Sequence, residues 1–108
     1  MVQDDDRVFR ALADPGRRRL LDRLHERDGQ TLRELCVDMG MTRPAVSKHL
    51  SLLVDAQVVV VLRRGREAHH YLNPAPIVEL AGRWIDKYDR RRLDALAAMK
   101  RDLEEDPS

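Results

Sequence analysis

The sequence predicts a mostly helical α+β fold with about five helices and one β-hairpin. Apolar residues recur at the three- and four-residue spacing of helices on both sides of the middle of the chain. A β-branched run at 58–62 is followed by a charged segment containing glycine and then by a second short strand-like stretch. The 108 residues suit one domain.

The composition is typical of a folded, water-soluble protein. Hydrophobic residues make up 43% of the chain and charged residues 36%. The longest aliphatic run, 58–62, is too short to cross a bilayer, and the acidic start at 3–6 is unlike the basic start of a secretion signal. We therefore expect a cytoplasmic protein with no membrane partner. We expect one domain over 1–103 and a frayed acidic tail over 104–108.

The first two helices are indicated by apolar spacing and by a cap. Val8, Phe9 and Leu12 share one face of the first helix. Asp14 and Pro15 then supply an N-cap and a first-turn proline for the second helix, which ends near Gly29. The arginine run at 17–19 is typical of a solvated helix face, with contact to the flanks of a DNA site as the alternative.

Two further helices follow, separated by a glycine-containing turn. Thr31 and Glu34 form a capping box that begins the third helix, and Gly40 is expected to end it. The third helix is predicted to bury Leu32, Leu35, Cys36 and Met39. Thr42 caps the fourth helix, with Pro44 in its first turn.

The fourth helix has one apolar face and one small, polar, basic face. Its apolar stripe consists of Val46, Leu50 and Leu53. Its opposite face is predicted to expose Pro44, Ser47, Lys48 and Ser51. Such a face can enter the major groove of DNA and reach base edges or phosphates.

A hairpin with strands at 58–62 and 68–72 and a basic tip at 63–67 comes next, and Asn73 closes it. His69 and His70 are neighbours in a strand, so they face opposite sides and cannot chelate one metal together. We expect structural or solvated roles for them. From Pro76 onward the helical period predicts one long helix, or two helices joined at the charged stretch 89–92.

This order of elements is typical of a winged helix-turn-helix, which binds double-stranded DNA. Residues 41–73 carry five Lys or Arg and two Asp or Glu, a surplus of three positive charges in the segment that would face DNA. The sequence contains no glycine-rich phosphate loop, no nucleophile beside a plausible base and no zinc-ligand spacing. We therefore expect a DNA-binding protein and not an enzyme.

Several ordered segments resemble the arsenic-repressor (ArsR) type of transcriptional regulator. They are Phe-Arg-Ala-Leu-Ala-Asp-Pro at 9–15, the arginine and leucine run at 17–21, Glu-Leu-Cys-Val at 34–37, the whole of 42–50 and the wing at 65–72. The resemblance is strong over 7–73 and holds by position only for the last helix. It implies a repressor of its own or a neighbouring operon.

The resemblance also implies a homodimer whose first and last helices pair, with one recognition helix for each half of an imperfect palindrome. By the same resemblance, and with Pro44 added from the outward face of the fourth helix, the candidate DNA-binding residues are Arg43, Pro44, Ser47, Lys48, His49, Arg63, Arg64 and Arg66. The candidate dimer-interface residues are Val8, Phe9, Leu12, Trp84, Ile85, Tyr88, Leu96 and Met99. Bound to DNA, the protein would be associated with the nucleoid.

Metal-sensing members of that family carry ligands that this sequence lacks. Where one group has Cys-Val-Cys in the third helix, this chain has Cys36, Val37 and Asp38. A second type of site uses Asp and His in the last helix, where this chain has Asp86 and Asp89 but no histidine. One thiolate beside a carboxylate does not make a soft-metal site, so we expect no metal and no other cofactor.

Some alternatives stay open at the level of sequence. Cys36 suits a small buried hydrophobe, with a redox role as the alternative. His49 fits either a hydrogen bond at the edge of the core or a phosphate contact, and Trp84 with Tyr88 fits either a dimer interface or a small ligand pocket. A non-specific nucleoid protein or a protein-binding winged helix are the other functions, and no inducer is specified.

Overall fold

The computed structural model describes residues 5–88 and 90–105. This part of the chain contains six α-helices, one π-helical turn and one antiparallel hairpin, which confirms the mostly helical α+β class. The helices are α1 (Asp5–Ala13), α2 (Pro15–Glu26), α3 (Leu32–Leu35), α4 (Arg43–Asp55), α5 (Ala75–Leu80) and α6 (Arg90–Glu105). The strands are β1 (Val59–Arg64) and β2 (Glu67–Leu72). The chain divides into two compact units, Met1–Ile77 and Val78–Ser108, which are described separately.

The predicted caps begin three of the helices. The Asp14 carboxylate accepts from the Arg17 amide at 3.0 Å at the start of α2. At the start of α3 the Glu34 amide donates to the Thr31 hydroxyl at 3.3 Å, while the Thr31 amide donates to the Glu34 carboxylate at 3.1 Å. The Thr42 hydroxyl accepts from the first turn of α4 at 3.2 Å. These bonds satisfy amides that a helix leaves without internal partners.

Helix α3 is shorter than predicted. It ends at Leu35 rather than just before Gly40, and turns follow in which Asp38 has a φ of 56°. This left-handed residue cannot belong to an α-helix, so the helix cannot extend to the glycine as predicted. Leu35 and Met39 are buried as predicted, but Leu32 and Cys36, at the two ends of the helix, are only half-buried.

The hairpin has a two-residue turn in place of the predicted five-residue tip. β1 and β2 pair in register from Val59 opposite Leu72 to Arg64 opposite Glu67. The turn is Gly65 and Arg66, with Gly65 at a φ of 63°, a conformation that two-residue hairpin turns require and glycine adopts at little cost. Two of the predicted tip arginines, 63 and 64, therefore belong to a strand.

The hairpin is anchored to the loop between α2 and α3. Gln30 pairs with His70 in an isolated antiparallel bridge, in which the His70 amide donates to the Gln30 carbonyl at 2.9 Å. The Gly29 amide donates to the His70 carbonyl at 2.8 Å. Gln30 and His70 are both buried polar residues, so the bridge is shielded from water.

The core of the first unit lies between α2, α3, α4 and the start of β1. Its fully buried side chains include Leu20, Leu24, Leu35, Met39, Val46, Leu53, Val58 and Val59. The predicted stripe of α4 is confirmed, because Val46, Leu50 and Leu53 are all buried. Burial of this stripe turns the polar face of α4 outward.

The second unit has two helical parts. The π-helical turn Ala81–Ile85 follows α5 directly, and the regular helix α6 begins at Arg90. The structure thus has two helices in this region, and the break starts near 86, earlier than the predicted 89–92. Helix α6 runs to Glu105, so the predicted tail begins inside the helix, and 106–108 lie outside the described residues. No helix in the described part combines the length and apolar character that a bilayer span needs.

Candidate nucleic-acid interface

The outward face of α4 presents the side chains expected of a recognition helix. Pro44, Ser47, Lys48 and Ser51 are all exposed, and Arg43 is exposed at the first helical position. The side chains on this face are short apart from one lysine and one arginine. A helix with such a face can approach base edges closely in a major groove.

A basic cleft lies between the starts of α3 and α4 and the end of the hairpin. It has a volume of about 350 Å³ and is lined by Thr31, Leu32, Arg33, Arg43, Arg63, Arg66, Glu67 and Ala68. Four guanidinium groups against one carboxylate give a surplus of three positive charges. We call this the arginine cleft, and its charge and position suit the phosphate backbone.

Arg33 lines this cleft but was not among the candidate DNA-binding residues predicted from the sequence. It is the second residue of α3 and is exposed. The capping box could have pointed to Arg33, because it fixes Thr31 as the N-cap and so places Arg33 in the first turn of α3. Only the fold shows that this start lies next to the hairpin.

The arginines of β1 face opposite sides of the hairpin. Arg63 is paired with Ala68. It lies two residues after Val61 and therefore on the same face of the strand, and Val61 lines a pocket together with outward residues of α4. Arg64 is paired with Glu67 on the other side of the strand. Arg63 and Arg66 line the arginine cleft and Arg64 does not.

His49 is engaged within the chain. Its Nδ1 lies 3.3 Å from Nη1 of Arg17, and its Nε2 lies 3.9 Å from the Asp14 carboxylate. The pKa of Asp14 is held below its usual value, first by the hydrogen bond from the Arg17 amide and then by the charges of Arg17 and His49. Of the two roles left open for His49, the structure shows the hydrogen bond at the edge of the core.

His69 and His70 hold the hairpin to the α2–α3 loop. The His69 Nδ1 is 2.8 Å from the Gly29 carbonyl, and the His70 Nδ1 is 2.9 Å from the Gln30 carbonyl. A carbonyl oxygen can only accept, so each ring donates its bond from a protonated Nδ1. These contacts support the structural role expected for His69 and His70.

The arginine run of α2 is exposed at Arg18 and Arg19, and its side chains also bind backbone carbonyls. Arg17 donates from Nε to the Ala11 carbonyl at 2.9 Å, and Arg19 donates to the Met39 carbonyl at 3.1 Å. Arg23 donates to the Leu35 carbonyl at 3.2 Å. The carbonyls of Ala11 and Leu35 lie in the last turns of α1 and α3, where they have no partner within the helix, and that of Met39 lies in the turns after α3.

The predicted dimer residues differ in how much surface they offer. Val8 is buried within the chain and Leu12 is half-buried. The exposed members are Phe9, Trp84, Ile85, Tyr88, Leu96 and Met99. Trp84 is also covered on one face by Lys87, whose Nζ lies 3.7 Å from the ring centroid.

The donors for a metal do not converge within the described residues. No group of three or more His, Cys, Asp or Glu side chains there is arranged to hold an ion. Cys36 is half-buried and Asp86 is exposed. The other acidic position named from the sequence, Asp89, lies outside the described residues.

The helix-turn-helix of α3 and α4 with its adjoining hairpin defines a winged helix-turn-helix. A family model described as a helix-turn-helix domain matches residues 12–61. The chain is 40% identical over 92 residues to YuzN, an uncharacterised HTH-type transcriptional regulator of Bacillus subtilis, across 80% of this chain and 100% of the relative. It is 35% identical over 66 residues to the transcriptional repressor SdpR of Bacillus subtilis, across 61% of this chain and 72% of that relative.

Structural comparison agrees with the sequence relatives. An ArsR-like transcriptional regulator from Rhodococcus sp. RHA1 superposes with a TM-score of 0.70 and 29% identity over 90% of each chain. The chain belongs to the ArsR-type winged helix-turn-helix transcriptional regulators. It is therefore a DNA-binding regulator and not an enzyme, as expected from the sequence.

Proposed function

We propose that this regulator is a metal-independent repressor that binds a palindromic operator as a homodimer, in the cytoplasm at the nucleoid. The observation that carries the proposal is the arginine cleft beside the outward face of α4. One surface thus combines a helix that fits the major groove with four cations that suit the adjoining phosphates. Repression would follow from covering promoter DNA.

The side chains divide into two roles on DNA. Ser47 and Lys48, exposed near the middle of α4, are assigned to base edges, with Pro44 packed against the groove. Arg43 and the other arginines of the cleft are assigned to phosphates, which fix register and affinity. Arg64 and His49 are assigned outside this surface, because one faces away and the other is held within the chain.

Dimerisation is supported by exposed apolar faces. Helix α6 displays Leu93, Leu96, Met99 and Leu103 along one side, each more than half exposed. Phe9 of α1 is 44% exposed. A monomer rarely leaves so continuous an apolar stripe in water, and a second copy of the same helix would cover it. A two-fold dimer calls for a palindromic operator, with half-sites about 34 Å apart.

Metal independence is supported by the donor set. Cys36 is the sole cysteine of the chain, and Asp38, two residues later, has a positive φ. A thiophilic ion needs several thiolates at bonding distance. The described residues offer one thiol for each subunit.

The testing experiment measures binding of the purified protein to DNA from upstream of its own coding sequence and to scrambled DNA of equal length. Fluorescence anisotropy is recorded with EDTA and then with zinc added. Preferential binding to the native fragment that is indifferent to metal supports the proposal and autoregulation. Equal binding to both DNAs would instead favour a nucleoid protein, and no binding to either would favour a protein partner.

Two variants sharpen this experiment. Lys48→Ala should reduce the preference for the native fragment, while Arg101→Ala removes one positive charge from an exposed residue of α6 outside that apolar stripe and serves as the control. Lys48→Ala with unchanged preference would contradict the assignment of α4 to base reading. Sedimentation of the protein with one duplex, at two protomers for each duplex, tests the dimer independently.

A further inference from the structure

A second basic cleft lies at the junction of α1, α2 and α4. Its volume is about 490 Å³, and its lining residues are Arg7, Arg10, Ala11, Arg17, Leu52 and Asp55. Three guanidinium groups against one carboxylate leave a surplus of two positive charges. Small-molecule sites commonly fall between 300 and 1,000 Å³, so the size suits a small ligand.

One of its cations is held rigidly in place. Arg17 donates from Nε to the Ala11 carbonyl at 2.9 Å and from Nη2 to the Arg10 carbonyl at 2.7 Å. Both acceptors are neutral carbonyls, and the two bonds fix the plane of the guanidinium. The Asp14 carboxylate, whose pKa the Arg17 charge lowers, offsets part of that charge from outside the cleft. An anion that binds there meets a cation already ordered, which lowers the entropic cost of binding.

The cleft also offers an apolar surface beside its charges. Leu52 is 42% exposed although it is a large aliphatic side chain, and Ala11 lies at the α1 wall. Asp55 is one turn beyond Leu52 on α4 and would repel a negatively charged group. This arrangement directs an anionic head toward the arginines of α1 and α2, with its apolar body against Leu52.

The cleft is separate from the DNA-binding surface. Leu52 is nine residues after Arg43, which places it about 13 Å further along the axis of α4. The arginine cleft is at the start of the same helix. A ligand at the second cleft and DNA at the first would therefore share α4 without competing for the same side chains.

We propose that the α1–α2–α4 cleft binds a small organic carboxylate with an apolar body. Binding itself is independent of the proposed function, whereas the ligand's role as an effector rests on it. Both sites use α4, so a ligand that displaces this helix changes operator affinity, and operator binding then changes ligand affinity by the same factor.

The probe is benzoate, titrated calorimetrically into the DNA-free full chain at constant ionic strength. We expect saturable binding at one site for each chain. Benzamide, which has the same body without the charge, and acetate, which has the charge without the body, should each bind about tenfold more weakly. Equal affinity for all three, or no saturable binding of benzoate, would overturn the proposal.

Two variants act in opposite directions. Arg10→Gln should weaken benzoate binding about tenfold, whereas Asp55→Asn should strengthen it severalfold because a like charge is removed. Arg101→Gln on α6 makes the same charge change as Arg10→Gln elsewhere and should have no effect. Arg17 is avoided because it also holds the end of α1. Equal losses in Arg10→Gln and Arg101→Gln, or weaker binding by Asp55→Asn, would contradict the site.

Operator affinity is then measured with saturating benzoate or benzamide. A shift with benzoate in the unmodified protein that is absent in Arg10→Gln supports the effector role, and an unchanged operator affinity overturns it. Protein that binds benzoate but no operator under any condition would count against the proposed function and leave the ligand site standing.

Discussion

Replacing Arg63 with glutamine tests the arginine cleft directly. Each neutralised phosphate contributes about 0.9 to the slope of log affinity against log salt concentration. The proposed dimer contains two copies of Arg63, so Arg63→Gln should reduce the magnitude of this slope by about 1.8. Between about 50 and 200 mM salt, the unmodified protein should then lose about twelvefold more affinity than the variant.

The matched control is Arg64→Gln, which removes the same charge from the next residue on the opposite face of the same strand. Its slope should stay closer to that of the unmodified protein. The assay is fluorescence anisotropy with a labelled operator at five or more salt concentrations. Equal slope changes for the two variants would refute the argument from strand faces, and no change for Arg63→Gln would refute the phosphate assignment.

Three further predictions concern stability. Thr42→Ala removes the cap of α4 at 3.2 Å and should lower the urea-derived free energy of unfolding by about 1 kcal/mol; an unchanged value would mean that water replaces the cap. Gly29→Ala should cost at least about 1 kcal/mol in the same assay, because φ is 80° and the new Cβ would lie 3.3 Å from the Tyr71 hydroxyl; wild-type stability would contradict this strain. The hydrogen bond from the Thr31 amide holds the pKa of Glu34 below its usual value. The resulting contribution to the free energy of unfolding is present above the unfolded-state pKa and is lost as pH falls through the lower folded-state pKa. Glu34→Gln should therefore flatten the decline in melting temperature below about pH 4, and parallel curves for the two proteins would refute this prediction.

Local signals in the sequence predicted the framework well. The caps at Asp14, Thr31 and Thr42 connect atoms three residues apart, so composition over one turn is enough to place them. The outward face of α4 followed from its apolar stripe for the same reason. The hairpin followed from a β-branched run and a glycine.

Interactions between distant segments could not be predicted in this way. The carbonyls bound by Arg19 and Arg23 are brought to α2 only when α3 packs against it. Arg63 and Arg64 point to opposite faces because the turn has two residues rather than five, so that both arginines belong to β1. Arg33 joined the cleft only through the placement of the hairpin beside α3.

The bridge between Gln30 and His70 has a consequence for how the protein moves. Because it joins the loop before α3 to β2, the wing cannot swing away from the helix-turn-helix without breaking buried backbone hydrogen bonds. In a deuterium-exchange experiment the amides of Gly29 and His70 should therefore open together, at the rate of the DNA-binding unit and not at that of a free hairpin. In the proposed dimer, each DNA-binding unit would then leave DNA with its helix-turn-helix and its wing still joined.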